Sequence, residues 1–104
     1  GLIENPPRIF DDGISFRLEC ATTPLPPVFS WIRDTGNMDL SELARTFNCG
    51  IGLIIFVDAG KADEVLHALQ TGPEPEAYIA GDLVTRNDQP AVILDGVDNW
   101  RRQT

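Results

Sequence analysis

Ile14-Ser15-Phe16-Arg17-Leu18-Glu19 alternates apolar and polar side chains, the period of a β-strand with one wet face. Before it, Gly1 to Arg8 reads as turn, because Asn5-Pro6-Pro7 removes backbone donors and restricts the residue ahead of each proline. After it, Thr22-Thr23-Pro24-Leu25-Pro26-Pro27 is a stiff connector into a helix beginning near Val28, with prolines suited to the first turn. Val28, Phe29 and Ile32 share one face of that helix, and Gly36 predicts its stop. Asp39, with Glu42 three residues later, has the form of a capping box for a second helix, Asp39 to Thr46. Leu40, Leu43, Ala44 and Phe47 fall on one side of it.

Ile51-Gly52-Leu53-Ile54-Ile55-Phe56-Val57 is apolar and largely β-branched, which predicts a central strand covered on both faces. Beyond Gly60, the residues Ala62, Val65, Leu66 and Leu69 form the apolar stripe of a third helix, and Asp63 and Glu64 complement its N-terminal dipole. Thr71-Gly72-Pro73-Glu74-Pro75 ends that helix. Ala77 to Val84 reads as a strand interrupted at Gly81-Asp82, and Arg86 to Leu94 as a hairpin around Asn87-Asp88-Gln89-Pro90. Asp98 to Thr104 has no periodicity. The order β-α-α-β-α-β-β predicts a single α+β domain with a mixed sheet.

Charge narrows the partners. Of 104 residues, 8 are basic and 16 acidic, a net charge of −8. The basic residues are scattered, with only Arg101-Arg102 adjacent. Nucleic acid and anionic membrane surfaces, which need a concentrated positive face, are therefore not expected as partners. A phosphorylated substrate, which needs only local donors, is not excluded. The longest apolar run, Ile51 to Val57, falls far short of the roughly 20 residues of a membrane helix. Cys20 and Cys49 are too few and too far apart for a zinc site, and His67 is the only histidine. Two free thiols fit a reducing cytoplasm better than a disulfide does.

The candidate chemistry centres on the junction Arg45-Thr46-Phe47-Asn48-Cys49-Gly50-Ile51-Gly52. Gly50 and Gly52 would let backbone N–H groups approach a polar ring or a phosphate, with Asn48 and Thr46 to orient it. The plainer alternative is a helix that stops at Asn48, with glycines admitting close packing. Walker and dinucleotide loops both place glycines ahead of a helix, whereas here helix precedes glycines and strand, so those folds are excluded. His67 steps off its helix's apolar face and reads as exposed, and Cys49 as a small packing residue. Asp11-Asp12 and Asp95-Gly96-Val97-Asp98 are acidic turns without EF-hand spacing, so no metal ligands are assigned.

Three segments together resemble a known family. Gly1-Leu2-Ile3-Glu4-Asn5-Pro6-Pro7-Arg8, Pro26-Pro27-Val28-Phe29-Ser30-Trp31-Ile32, and Gly36-Asn37 followed by Glu42-Leu43-Ala44-Arg45-Thr46-Phe47-Asn48-Cys49-Gly50-Ile51-Gly52 are similar to motifs of the aminoimidazole ribonucleotide synthetases, also called phosphoribosylformylglycinamidine cyclo-ligases. Ala62-Asp63-Glu64-Val65-Leu66 and Ala77-Tyr78-Ile79-Ala80-Gly81 fit the family's closing helix and a strand, so the resemblance runs from Gly1 to about Val84. Pro6 stands where the family has a branched apolar residue, and Thr23-Pro24-Leu25 where tryptophan is common; both departures are read as surface positions.

The resemblance implies most of a C-terminal domain, a three-layer α/β/α unit with a mixed sheet that is partly ferredoxin-like. It implies a cytoplasmic, magnesium-dependent, dimeric enzyme of purine synthesis. In such an enzyme ATP activates the formyl amide oxygen of formylglycinamidine ribonucleotide, the neighbouring amine attacks, and ADP and phosphate leave. Thr46 and Asn48 are expected to face the catalytic cleft. Glu4, Asn5, Arg45, Gly50 and Gly52 inherit substrate-binding positions, with Glu4 and Asn5 at the lip. The N-terminal domain that holds ATP and Mg2+ is absent from these residues, so the chain alone is expected to bind neither and to be inactive. The alternative is a related non-catalytic module that binds a ligand or a partner.

Overall fold

The alternating segment forms the middle strand of the sheet. In the computed structural model, which describes residues 1–102 (Arg101 and Arg102 by backbone only), the elements run in order β1 (Ile14–Glu19), β2 (Pro24–Leu25), α1 (Pro27–Gly36), α2 (Leu40–Thr46), α3 (Ala62–Gln70), β3 (Gly81–Thr85), β4 (Val92–Asp95) and β5 (Arg101–Arg102). Short 3₁₀ helices occupy Pro6–Ile9, Ala59–Lys61 and Val97–Asn99. β1 lies between β3, antiparallel with Leu18 opposite Gly81, and β4, parallel with Phe16 opposite Val92. β2 and β5 form a separate parallel pair. The result is an α+β fold with a mixed sheet and three helices, as the element order predicts. Of the aperiodic tail, residues 103–104 lie outside the described part.

The expected hairpin from Arg86 to Leu94 does not form, because β1 is inserted between its arms. The turn crosses the end of β1 instead: the Arg86 amide donates to Gly13 O at 2.9 Å, its guanidinium donates twice to Ile14 O, and Phe16 N donates to Ala91 O at 2.9 Å. A turn signal fixes where the chain bends and leaves open which strand each arm pairs with. Likewise, Gly81-Asp82 opens β3 rather than interrupting a strand.

The helix boundaries follow local chemistry. Asp39 Oδ1 accepts from Glu42 N at 2.7 Å, satisfying a first-turn donor of α2. α1 is closed by Asn37 in the left-handed region (φ 51°), whose N–H donates to Arg33 O; Gly36 is its last helical residue. Phe29 and Ile32 pack on the core, but Val28 is exposed and does not share their buried face. At the N-terminus the prolines admit one 3₁₀ turn at Pro6–Ile9, since a first turn needs no proline N–H.

Leu18, Leu25, Leu43, Cys20 and Cys49 are fully buried and join β1, β2 and α2 into one core. Two polar residues go in with them, each satisfied: Ser15 Oγ donates to Pro90 O at 2.6 Å and Thr23 Oγ1 to Glu19 O at 2.7 Å. Pro6 is also buried, and of the second family departure, Thr23-Pro24-Leu25, Thr23 and Leu25 are buried and Pro24 half-buried, so neither departure is a surface position.

The largest difference from expectation is Ile51 to Val57, which joins no sheet. Both neighbours of β1 are already taken, by β3 and β4. Phe56 turns inward, its ring edge-on to Phe10 and Phe16 at centroid distances of 5.9 and 5.4 Å. Leu53 is 80% exposed and Ile55 51%. Among the described residues, no backbone group from Gly52 to Val57 has a hydrogen-bond partner. Apolarity measures how much cover a segment favours, and the fold of these residues supplies it on one side only.

Candidate functional site

The N-terminal segment is fastened to the end of α2. Leu2 N donates to Ala44 O at 2.8 Å and to Phe47 O at 3.3 Å, capping carbonyls that the helix leaves free. Gly1 lies so close to the Arg45 and Ala44 carbonyls that a Cβ there would collide with both. This docking brings Asn5 alongside the residues that follow α2.

Those residues make a tight turn. Ile51 N donates to Asn48 O at 3.0 Å, and the two central residues, Cys49 (φ 54°) and Gly50 (φ 89°), both have positive φ, the type I′ pattern. Gly50 is held against α1, where an added Cβ would fall 2.6 Å from Pro26 Cγ. Gly52 has open space around it. The two glycines of the motif therefore differ: Gly50 is a packing and backbone requirement, Gly52 a free edge.

A groove of about 280 Å³ runs between the docked N-terminus and the segment after the turn. Asn5, Asn48 and Gly52 line it, with apolar walls from Pro6, Ile9 and Phe56 among others. Glu4, Arg45, Thr46 and Gly50 are not among its lining residues. Arg45 and Glu4 meet each other at 4.0 Å, both more than half exposed, a pair worth little to stability. Thr46 ends α2 on the exposed side. The structure thus gathers three of the seven predicted site residues into one groove and leaves four beside it. The other lining residues, Pro6, Ile9 and Phe56 among them, were not expected from the sequence. An apolar wall has no signature distinct from core until the fold places it.

His67 lies exposed on α3, as expected, and no cluster of three or more metal-ligating side chains occurs among the described residues. No helix among them is long and apolar enough to cross a membrane. Both cysteines are free and buried; burial pushes the Cys49 thiol up to about 11 and the Cys20 thiol to about 12. Cys49 is therefore a packing residue at the turn and no nucleophile near neutral pH. A raised thiol pKa favours folding while the unfolded thiol is also protonated. That contribution is complete below about pH 9 and lost as pH climbs toward 11 for Cys49 and 12 for Cys20. A thiol reagent at pH 8 should label neither cysteine in the native chain and both in urea. Labelling of the native chain at the unfolded rate would contradict this burial.

A mixed three-stranded sheet with three helices and an amide-bearing groove at a helix end define a small α+β domain, of neither Walker nor dinucleotide-binding type. The chain belongs to the family described as AIR synthase related protein, C-terminal domain, whose model matches residues 1–93. It is 45% identical over 96 residues to a phosphoribosylformylglycinamidine cyclo-ligase of Aromatoleum aromaticum, covering 92% of this chain and 27% of that protein. It is 40% identical over 100 residues to a trifunctional purine biosynthetic protein adenosine-3 of Drosophila pseudoobscura pseudoobscura, covering 94% of this chain and 7% of that protein. The chain therefore spans about a quarter or less of the relatives it matches.

Proposed function

We propose that the chain acts as the C-terminal-domain part of an ATP-dependent cyclo-ligase of purine biosynthesis. The reaction converts formylglycinamidine ribonucleotide to aminoimidazole ribonucleotide, with release of ADP and phosphate. The observation that carries this reading is the 45% identity over nearly the whole chain to a cyclo-ligase, in a fold that brings Asn5 and Asn48 to one groove. The groove serves as one wall of the catalytic cleft, where the two amides orient the substrate while the docked N-terminal segment limits its access to water.

ATP and Mg2+ belong, on this reading, to polypeptide beyond these residues. The groove lining contains no carboxylate for a metal and no side-chain cation for a polyphosphate, so no step through either group is assigned to this chain. The chain works within a longer, cytoplasmic, dimeric enzyme and is inactive alone. The relatives' greater length and the unpaired apolar positions outside the groove's lining, Ile55 and Val57, which suit cover by further chain, favour this arrangement.

Asn48 gives the test. Its side chain is exposed and makes no hydrogen bond within the described residues, so truncating it should leave the fold intact. In the longer enzyme, Asn48→Ala should lower turnover roughly ten- to a hundredfold, the worth of one hydrogen bond to a group that gains charge in the reaction. The urea midpoint should stay unchanged. Wild-type turnover would refute the role.

A further inference from the structure

Resting on the reading of the junction as a ligand cleft, we propose that the groove takes a neutral, planar carboxamide-bearing group and leaves any phosphate to other parts of the site. No side chain lining it is charged, although the chain as a whole carries a net charge of −8. An anion there would find no guanidinium or lysine ammonium among the lining side chains. Arg8, next in sequence to Ile9, and Arg45, which faces Glu4 at 4.0 Å, both lie outside the lining.

What the groove does offer is matched to an amide. The side chains of Asn5 and Asn48 each present a donor NH2 and an acceptor oxygen, and neither has a hydrogen-bond partner among the described residues. The N–H groups of Gly52 and Leu53, both lining residues, are also unpartnered. A carboxamide has one donor end and one acceptor end in a plane, the complement of an asparagine amide. Its flat faces would find apolar neighbours in the lining residues Pro6, Ile9 and Phe56. At about 280 Å³ the groove lies at the lower edge of the roughly 300–1,000 Å³ of complete small-molecule sites, which suits one part of a ligand. It holds one ring-sized group of a larger ligand.

Nicotinamide, nicotinate and inorganic phosphate separate the chemistries, since the first two differ only in amide against carboxylate. The chain is acetylated at its N-terminus for this comparison, so that the Gly1 amine adds no cation to the groove. In ¹H–¹⁵N spectra, nicotinamide should shift the side-chain NH2 signals of Asn5 and Asn48 and the amides of Gly52 and Leu53. Phosphate should shift none of them, and nicotinate should bind at least about fivefold more weakly, the worth of about one neutral hydrogen bond. Asn48→Leu should weaken nicotinamide by about five- to tenfold, with Asn5→Leu as the second variant should the first perturb the fold. Nicotinate or phosphate binding as tightly as nicotinamide, no response to nicotinamide, or an unchanged affinity in a folded leucine variant would overturn the proposal. A fall in turnover for Asn48→Ala combined with any of those results would leave the cyclo-ligase reading standing and remove only the neutral-ligand inference.

Discussion

Gly50→Val should destabilise the chain by about 3 kcal/mol or more, whereas Gly52→Ala should change its stability by less than about 1 kcal/mol. The two glycines are separated by one residue and look equivalent in the motif. Gly50 has φ 89°, where a β-branched side chain is strained by itself, and a Cβ there would lie 2.6 Å from Pro26 Cγ and 2.9 Å from Pro26 Cδ. Proline is a rigid neighbour at the start of α1, so the turn or the helix has to move. At Gly52 an added Cβ would meet no atom within 4 Å, and φ there is not positive. Urea unfolding of both variants checks the contrast. Equal losses would mean that the turn does not sit against α1 in solution.

Leu43→Ala is the second large expected effect, a loss of about 2–5 kcal/mol from the roughly 5–15 kcal/mol that holds a domain of this size. Leu43 is fully buried in the core, and its carbonyl accepts from Phe47 N at 2.8 Å at the end of α2. The cavity left by truncation lies under the helix that carries Arg45 and Thr46 and leads into Asn48. Leu53→Ala is the matched control: with Leu53 80% exposed, its loss should stay within about 0.5 kcal/mol. The two midpoints, compared at equal denaturant slope, decide the matter. A cost at Leu53 equal to that at Leu43 would show the Gly52 to Val57 stretch to be covered in solution, by a second copy or by rearrangement.

Legibility in the sequence follows the range of the interactions. The Asp39 cap, the α2 face and the strand at Ile14–Glu19 are readable because each depends on residues within a few positions. The C-terminal end of α1 differs by one residue from the predicted stop, since Asn37 rather than Gly36 takes the left-handed position. The hairpin at Arg86 to Leu94 and the central strand at Ile51 to Val57 fail for one shared reason. Both require knowing which strands flank β1, and that is settled by hydrogen bonds between residues far apart in the chain, such as Phe16 with Ala91 and Arg86 with Gly13.

The candidate site divides in the same way. By itself, the sequence determined the α+β class, the family motifs around Arg45 to Gly52, the absence of a concentrated positive face, and the exclusion of glycine loops that open a helix. These rest on residue chemistry and local order along the chain. Only the tertiary structure decided that Asn5 and Asn48 share a groove, that Gly50 is fixed by Pro26, and that Thr46 and Arg45 stand outside the groove's lining. The docking of Leu2 on the last turn of α2 brings Asn5 and Asn48 together across more than forty positions of chain. No local pattern encodes that contact, because it forms only when helix α2 already exists and leaves its final carbonyls free for an amide from elsewhere.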